Sequence, residues 1–281
     1  MAKMNGIISV STIAYDGYNL GTALRRMSQI GCSHVELDAI EGLSEHIRLQ
    51  DFRDKTLGRK VNVMMKQSHV SSIGFSGHMD LSKEGIVPAF EKKMRFAKQI
   101  GAKIINTFSG PRERIGIFYK NIKHIAEFAK SMDLVVALET HGDIISDRSS
   151  LDVIKKINLE NVRINYDFAN YFHYAKGNVD LGKDFESTLK YVVYLHVKDT
   201  VLEGNKWHFT QIGKGTIDYR EIFRILKTCN REIPMSIELP LRLEVSENKV
   251  AQKTKAPLQI ESIDKIVTDS ISYVRGLWKL A

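Results

Sequence analysis

The chain has 281 residues, of which 43% are hydrophobic and 26% are charged. These values are ordinary for a soluble globular protein, and a chain of this length needs no covalent staple for a stable core. The formal net charge of +8 would suit a phosphorylated substrate or nucleic acid. The basic residues form no long run, however, and their scatter favours an ordinary solvated surface.

The two cysteines, Cys32 and Cys229, are too few for a disulfide framework. We interpret both as buried free thiols, which is typical of a reducing compartment. The first ten residues contain too short an apolar run for a secretory signal, and no run approaches the roughly 18 apolar residues of a membrane span. The sequence therefore predicts a cytoplasmic protein with no membrane partner.

Short runs rich in Val and Ile alternate with amphipathic stretches along the chain, and this alternation occurs eight times. The runs predict strands at 6–12, 34–38, 62–70, 102–110, 134–142, 162–168, 192–199 and 234–240. The amphipathic stretches predict helices at 20–31, from 39 through about 59, and at 88–101, 118–132, 149–157, 181–190, 218–229 and 262–280.

This alternation indicates an α/β fold with a parallel sheet. Eight units in 281 residues favour a single (β/α)₈ TIM barrel domain over residues 1–281. An open doubly wound sheet is the alternative, but no GxGxxG follows the first predicted strand. Long connections at 71–87, 169–180, 200–217 and 241–261 should lie on the C-terminal face of the barrel, where active sites are built.

Four consecutive predicted strands end in an ionisable residue. Alternation along each strand puts these residues on the inward face and the Val and Leu residues on the outer face. They are Glu139, Asp167, His196 and Glu238. Three carboxylates held close together oppose one another's ionisation, and a divalent cation removes that conflict. Three carboxylates and an imidazole suit one Mn²⁺, Mg²⁺, Co²⁺ or Zn²⁺ ion, so the sequence predicts a metal site here.

The motifs that contain these residues resemble those of the xylose isomerase-like TIM barrel superfamily, in particular its ketose 3-epimerase and inosose dehydratase-like branch. They are ALETHG, INYDFAN, LHVKD, IGKGTIDY and SIELP, and the resemblance covers nearly the whole chain. It implies that the four residues bind one divalent metal, and that Glu139 and Glu238 are the acid/base pair of a sugar or sugar phosphate isomerase or epimerase. One carboxylate would remove a proton beside a carbonyl to give an enediolate, and the other would return it.

Other activities share this scaffold. A lyase acting on a keto-sugar or keto-inositol, including C-glycoside cleavage, begins with the same proton abstraction and is the main alternative. A non-catalytic sugar-binding relative would not need the intact carboxylate pair. A nuclease resembling endonuclease IV is disfavoured, because Phe108 stands where that branch has His and NKWHFTQIGKG lacks its Asp-x-His pattern. The expected partner is therefore a small sugar or sugar derivative, and nucleic acid is disfavoured.

Five further residues near the predicted strand ends are candidates for binding substrate. They are His69, His141, Asn170, Lys198 and Glu36. His69 ends the predicted third strand, and either binds substrate, supports the site as a hydrogen-bond partner, or is structural. Asn170 holds a position where many relatives have His, so it could donate to a substrate hydroxyl but could not transfer a proton.

The remaining candidates have structural alternatives. Lys198 could neutralise an enediolate or bind a phosphate or carboxylate, or it could pair with Asp199 or a neighbouring strand. Glu36 could position a substrate or an arginine, or be structural. The loops at 71–81 and 170–174 could cover the substrate or form an oligomer contact, which leaves a dimer or tetramer open.

Overall fold

The computed structural model describes residues 6–141, 144–146, 149–229, 231–246, 251–253 and 256–280. Its strands are β1 (Ile8–Ser11), β2 (His34–Asp38), β3 (Ser71–Ser76), β4 (Ile104–Thr107), β5 (Val135–Glu139), β6 (Val162–Asp167), β7 (Val192–Val197), β8 (Asp199–Glu203), β9 (Lys206–Thr210), β10 (Met235–Ile237), β11 (Leu243–Ser246) and β12 (Ala251–Lys253). Eight of them form a closed parallel barrel in the order β1-β10-β7-β6-β5-β4-β3-β2. The predicted (β/α)₈ TIM barrel is confirmed.

Helices surround the barrel and connect its strands. They are α1 (Leu20–Gln29), α2 (Leu57–Gln67), α3 (Val87–Ile100), α4 (Ile115–Ser131), α5 (Ser150–Ile157), α6 (Phe168–Tyr174), α7 (Leu181–Thr188), α8 (Tyr219–Thr228) and α9 (Ile260–Leu280). Local sequence sets their limits: the side chains of Asn19, Asp180 and Asp218 cap the first turns of α1, α7 and α8. Gly101 ends α3 with a left-handed φ of 87°. No helix in the described ranges is long and apolar enough to cross a membrane.

The strand predicted at 62–70 is wrong, because most of this segment belongs to α2 and the third strand begins at Ser71. The apolar residues Val61 and Met65 are buried at helical spacing, and a short apolar run does not distinguish helix from strand. The true strand, SSIGFS, carries small residues for a physical reason. A Cβ at Gly74 would lie 2.7 Å from the Tyr194 hydroxyl, so a larger residue would not fit there.

Besides 71–87, which contains β3, two other predicted connections contain strands that the sequence pattern did not predict. Strands β8, β9, β11 and β12 form an antiparallel sheet in the order β12-β11-β9-β8. It lies in the connections that follow β7 and β10, and its residue Trp207 packs against Phe172 and His173 of α6. The expectation of two buried thiols holds for Cys32 alone, since Cys229 is partly exposed.

Part of the barrel interior is apolar. Tyr194, Ala137 and Ile104 form a separate buried cluster, and the hydroxyl of Tyr194 lies 2.9 Å from Ser9 Oγ. Leu195 and Val197, on the other face of β7, join the larger core between the strands and the helices. Because side chains alternate along a strand, His196 follows Tyr194 on the inward face.

Candidate active site

Four side chains from four adjacent positions in the barrel converge at the C-terminal ends of their strands. They are Glu139 of β5, Asp167 of β6, His196 of β7 and Glu238, which follows β10. Each offers a ligand atom, these atoms all lie within 4.8 Å of one another, and all four residues are buried. The structure thus brings together the set that strand alternation predicted, and this set could bind a metal ion.

The positions of the atoms that face one another in this cluster indicate whether a cation would fit there. Oδ2 of Asp167, Nδ1 of His196 and Oε2 of Glu238 are buried and have no hydrogen bond of acceptable geometry within the described chain. Nδ1 of His196 lies 2.7 Å from Glu238 Oε2 and 3.6 Å from Asp167 Oδ2. The Lys198 ammonium lies 2.8 Å from Asp167 Oδ2 and 3.0 Å from Glu238 Oε2, so these buried oxygens already face one cation. An oxygen and nitrogen donor set of this kind suits a divalent ion.

Glu139 is oriented by two partners besides His196. Nδ2 of Asn170 donates to its Oε1 at 2.7 Å, and Nε2 of His78 lies 2.7 Å from its Oε2. Nδ1 of His78 lies in turn 2.8 Å from the hydroxyl of Ser76. The carboxylate of Glu139 is therefore fixed at both oxygens. His78 is absent from the residues predicted from sequence, because the error in the third strand put the predicted strand end at His69.

His69 itself lies elsewhere. It is exposed in the turn between α2 and β3, with a positive φ of 55°. That turn leads into the N-terminal end of β3, whereas the four convergent residues lie at the C-terminal ends of their strands. The structure therefore does not bring His69 to the cluster, which agrees with the structural alternative, and the reason is that 62–70 is mainly helix.

Asp167 connects the strand, the helix and the cluster. Its Oδ1 accepts the backbone N–H of Asn170 at 2.8 Å and so caps α6. This leaves Oδ2 facing the cluster. The same cap places Asn170 one turn into the helix, where its side chain reaches Glu139. The hydrogen bond that caps α6 thus fixes the position of Asn170, which stands three residues after Asp167.

Lys198 is buried and touches two members of the cluster. Its Nζ lies 2.8 Å from Asp167 Oδ2 and 3.0 Å from Glu238 Oε2. Of the two alternatives that the sequence left open for an ion pair, the neighbouring strand is the partner and Asp199 is not. Asp199 instead accepts backbone N–H groups of Gly213 and Gly215 and so holds the GKG turn.

The charges in the cluster stabilise one another against the effect of burial. Burial opposes ionisation of Glu139, but His78 and His196 outweigh it and hold the pKa of Glu139 well below its usual range. Burial acts against the ionised form of Glu238 too, yet Lys198 and His196 lower its pKa to about 2. Burial likewise opposes the protonated form of Lys198, and Asp167 and Glu238 nevertheless raise its pKa. Both glutamates are therefore ionised at neutral pH, and Lys198 is cationic.

The remaining candidates lie at different depths. His141 is near the mouth, with its ring centroid 5.5 Å from Phe108 and 5.7 Å from Tyr174. Burial lowers its pKa. Glu36 has no exposed surface and lies against the other nitrogen of His196, Nε2, at 3.1 and 3.2 Å. A substrate at the strand ends would meet His141, whereas Glu36 is inside the barrel and out of reach.

A cavity of about 210 Å³ adjoins His78. His78, Phe108 and Met79 line it together with Lys93, which is buried. Nζ of Lys93 donates to the backbone carbonyls of Ala39 at 2.8 Å and His78 at 3.1 Å. The cavity therefore lies beside the partner of Glu139 and has one buried cation in its wall.

Comparison with known proteins identifies the fold family. Residues 24–262 match the model of the xylose isomerase-like TIM barrel. The chain belongs to this family. A comparison with curated protein sequences gave no match.

Several solved structures are similar to this chain over nearly its full length. A xylose isomerase domain protein from Planctomyces limnophilus is 16% identical, covers 98% of this chain and 97% of its own, and has a TM-score of 0.70. The probable 3-DHS dehydratase AsbF from Bacillus anthracis is 16% identical, with coverages of 96% and 98% and a TM-score of 0.69. A D-psicose 3-epimerase from Clostridium cellulolyticum H10 is 11% identical, with coverages of 97% and 99% and a TM-score of 0.73. At these identities the likeness shows the fold alone, and the structures that share this fold include an epimerase and a probable dehydratase.

Proposed function

We propose that the chain is a divalent-metal-dependent isomerase or epimerase acting on a sugar or a sugar phosphate. One observation carries this proposal: two ionised carboxylates, Glu139 and Glu238, share a buried cluster with Asp167 and His196. Two carboxylates beside one reacting centre can remove a proton and return one. The family relationship supports an enzyme and a small-molecule substrate.

The four clustered residues would hold the metal through their facing oxygens and the Nδ1 of His196. A divalent ion bound there would polarise the substrate carbonyl and make the adjacent C–H more acidic. The donor set admits Mn²⁺, Mg²⁺, Co²⁺ or Zn²⁺.

The protein groups then divide the work of proton transfer. Glu139, held by Asn170 and His78 at its two oxygens, takes the proton from the carbon beside the carbonyl. Glu238, whose Oε2 lies 2.7 Å from Nδ1 of His196, is ionised, so it would first take up a proton from solvent and then deliver it to the opposite face. For transfer to the next carbon, Glu139 would return the proton that it removed. The ammonium of Lys198 offsets the negative charge that develops on the substrate oxygen.

The part of the substrate that does not react would extend toward the mouth. His141 and Tyr174 contact each other there, and the cavity of about 210 Å³ beside His78 could receive a short substituent. The aromatic rings would pack on the C–H faces of a sugar. His141 and Asn170 would donate to its hydroxyl groups.

A lyase is the second candidate, and Lys198 is the observation that favours it. A protonated amine 3.0 Å from Glu238 could stabilise a departing hydroxyl after the shared proton abstraction. The substrate would then be a keto-sugar or keto-inositol that loses water or an aglycone.

One experiment separates these outcomes. The purified protein is stripped with chelator, reloaded with Mn²⁺, Co²⁺, Mg²⁺ or Zn²⁺, and incubated in D₂O with a panel of ketoses, ketose phosphates and keto-inositols. We expect deuterium to enter at a carbon beside the carbonyl only in the reloaded protein. Epimerised or isomerised product supports the first candidate, and loss of water supports the lyase.

Variants test the roles of the carboxylates. Replacing either base should lower exchange by at least about 100-fold, so Glu139→Gln and Glu238→Gln are both made. The exposed Glu160→Gln serves as the control. Deuterium exchange that persists in chelator would contradict the proposal that the reaction needs a metal ion. Normal exchange in both Glu139→Gln and Glu238→Gln would contradict their assignment as the acid/base pair.

A further inference from the structure

Glu36 is a buried carboxylate for which the proposed reaction has no use. It lies on β2, inside the barrel, with none of its surface exposed. Burying a carboxylate is costly unless it is paired and hydrogen-bonded, and substrate at the strand ends cannot reach it. Its contacts must therefore explain why a glutamate stands at this position.

Glu36 has two partners across the barrel interior. Nδ2 of Asn106, on β4, donates to its Oε1. Nε2 of His196, on β7, lies 3.2 Å from Oε1 and 3.1 Å from Oε2. These contacts join three strands that are not neighbours in the barrel, so they depend on the closed fold and on no local sequence pattern.

The contact with Glu36 engages Nε2 of His196 and fixes the orientation of the ring. The carboxylate oxygens of Glu36 accept, so Nε2 is the donor in this contact. The other nitrogen, Nδ1, faces the cluster and lies 2.7 Å from Glu238 and 3.4 Å from Glu139. The ring is thus held with Nδ1 toward the position where a ligand atom is needed. The ring of Tyr194, 5.9 Å away edge-on, packs against the same imidazole.

We propose that Glu36 is the positioning residue for His196, and that Asn106 fixes Glu36 in turn. This inference rests on the proposed function, because it takes the divalent ion as the ligand of Nδ1. A carboxylate that accepts from the second nitrogen of a metal-binding histidine fixes the orientation of the ring and raises its basicity. Residues inside the barrel therefore orient the imidazole of His196, while residues at the strand ends supply the metal ligands.

The alternative is that Glu36 only fills space and satisfies Asn106. Two substitutions of similar size separate these roles. Glu36→Gln keeps an oxygen that can accept from Nε2 of His196, whereas Glu36→Leu removes every acceptor. A filler role predicts that the two variants bind metal equally well. A positioning role predicts that Gln rescues metal binding and Leu does not.

The measurement is the dissociation constant for Co²⁺ and Zn²⁺, obtained by competition with a chelator on the full chain. For Glu36→Leu we expect a dissociation constant about 10- to 100-fold higher than that of the wild type, and for Glu36→Gln a value within about five-fold. Asn165→Ala is the control, since Asn165 is equally buried inside the barrel and has no side-chain hydrogen bond in the described residues.

A second readout reports the imidazole directly. In the Zn²⁺-loaded protein, nitrogen NMR of His196 should show a protonated Nε2 and a metal-bound Nδ1. The Glu36→Leu protein should show altered shifts or exchange between ring orientations. If Glu36→Leu does not fold, Asn106→Leu replaces it, and we expect an intermediate rise of about 3- to 10-fold in the dissociation constant.

The outcomes distinguish the two proposals. If the wild type binds the metal and Glu36→Leu binds it equally well with unchanged His196 signals, the inference is overturned and the proposed function stands. If the wild type binds no divalent ion, the metal part of the proposed function fails and this inference fails with it. Loss of affinity in the Leu variant with rescue by Gln establishes the positioning role.

Discussion

The two halves of the barrel differ in what their strands supply. Strands β5, β6 and β7 each contain a member of the cluster, and Glu238 directly follows β10. Strands β1 to β4 contribute no such member. They contribute partners instead: Glu36 of β2 lies against His196, and His78, which follows β3, lies against Glu139.

This difference separates binding groups from orienting groups. Two of the four clustered side chains have a hydrogen-bond partner that comes from the opposite half of the barrel. The first half is held together by similar contacts: the carboxylate of Asp38 accepts from the hydroxyls of Ser11 at 2.6 Å and Thr12 at 2.9 Å. A closed barrel makes such a division practical, because side chains from opposite strands meet inside it.

The largest expected effect on kcat is that of replacing His78, and it shows whether the first half of the barrel contributes to turnover. His78→Leu removes the partner of Glu139 Oε2, so that carboxylate should lose its fixed orientation. We expect kcat to fall by at least about 100-fold with KM changed by only a few-fold. The measurement is steady-state kinetics on whichever substrate of the panel reacts.

The matched variant is His78→Gln, whose side-chain amide can still donate to Glu139. It should recover a substantial part of the lost kcat. If His78→Leu turns over at the wild-type rate, the first half of the barrel does not orient the base, and Asn170 alone holds Glu139.

The sequence predicts the second half of the site better than the first for a physical reason. Strands β5 and β7 are largely buried and rich in Val and Leu, so Glu139 and His196 are conspicuous among their inward-facing residues. Strand β3 reads SSIGFS, because Tyr194 packs where a side chain at Gly74 would lie. The preceding helix α2 contains the short apolar run Val63–Met65, which the strand predicted at 62–70 includes.

Contacts between distant strands could not be predicted at all. Glu36 and His196 are 160 residues apart, and nothing in either local sequence indicates that they meet. The antiparallel sheet of β8, β9, β11 and β12 was missed for a related reason. Its four short strands come from two connections and pair only after the barrel has brought those connections together.

A smaller effect concerns Lys93, whose ammonium donates to the carbonyls of Ala39 and His78 in the first half of the barrel. Burial lowers the pKa of Lys93 from 10.5 to about 8. Between about pH 8 and 10.5 the unfolded chain holds this proton and the folded chain does not. Folding therefore becomes more favourable as pH rises through that window.

The test is urea unfolding of the wild type and Lys93→Met from pH 7.5 to 10. The free energy of unfolding of the wild type, relative to the variant, should rise by up to about 1.4 kcal/mol per pH unit above pH 8. Lys92→Met, at an exposed position beside it, should leave the pH dependence unchanged. If the difference in free energy of unfolding between the wild type and Lys93→Met is constant or falls as pH rises, burial does not lower the pKa of Lys93.

The smallest expected effect on kcat is that of replacing His69, which lies in the first half of the barrel but outside the site. Because His69 is exposed and lies at the opposite end of β3 from His78, His69→Asn should change kcat less than two-fold and the free energy of unfolding by less than about 0.5 kcal/mol. His69→Val should lower stability by roughly 1 kcal/mol, because a β-branched residue is strained at a φ of 55°. It should still leave kcat unaltered. Kinetics and urea unfolding measured on the same preparations check both values. A ten-fold loss of kcat in His69→Asn would contradict this expectation. It would mean that His69 contributes to catalysis from the N-terminal end of β3, which lies away from the cluster.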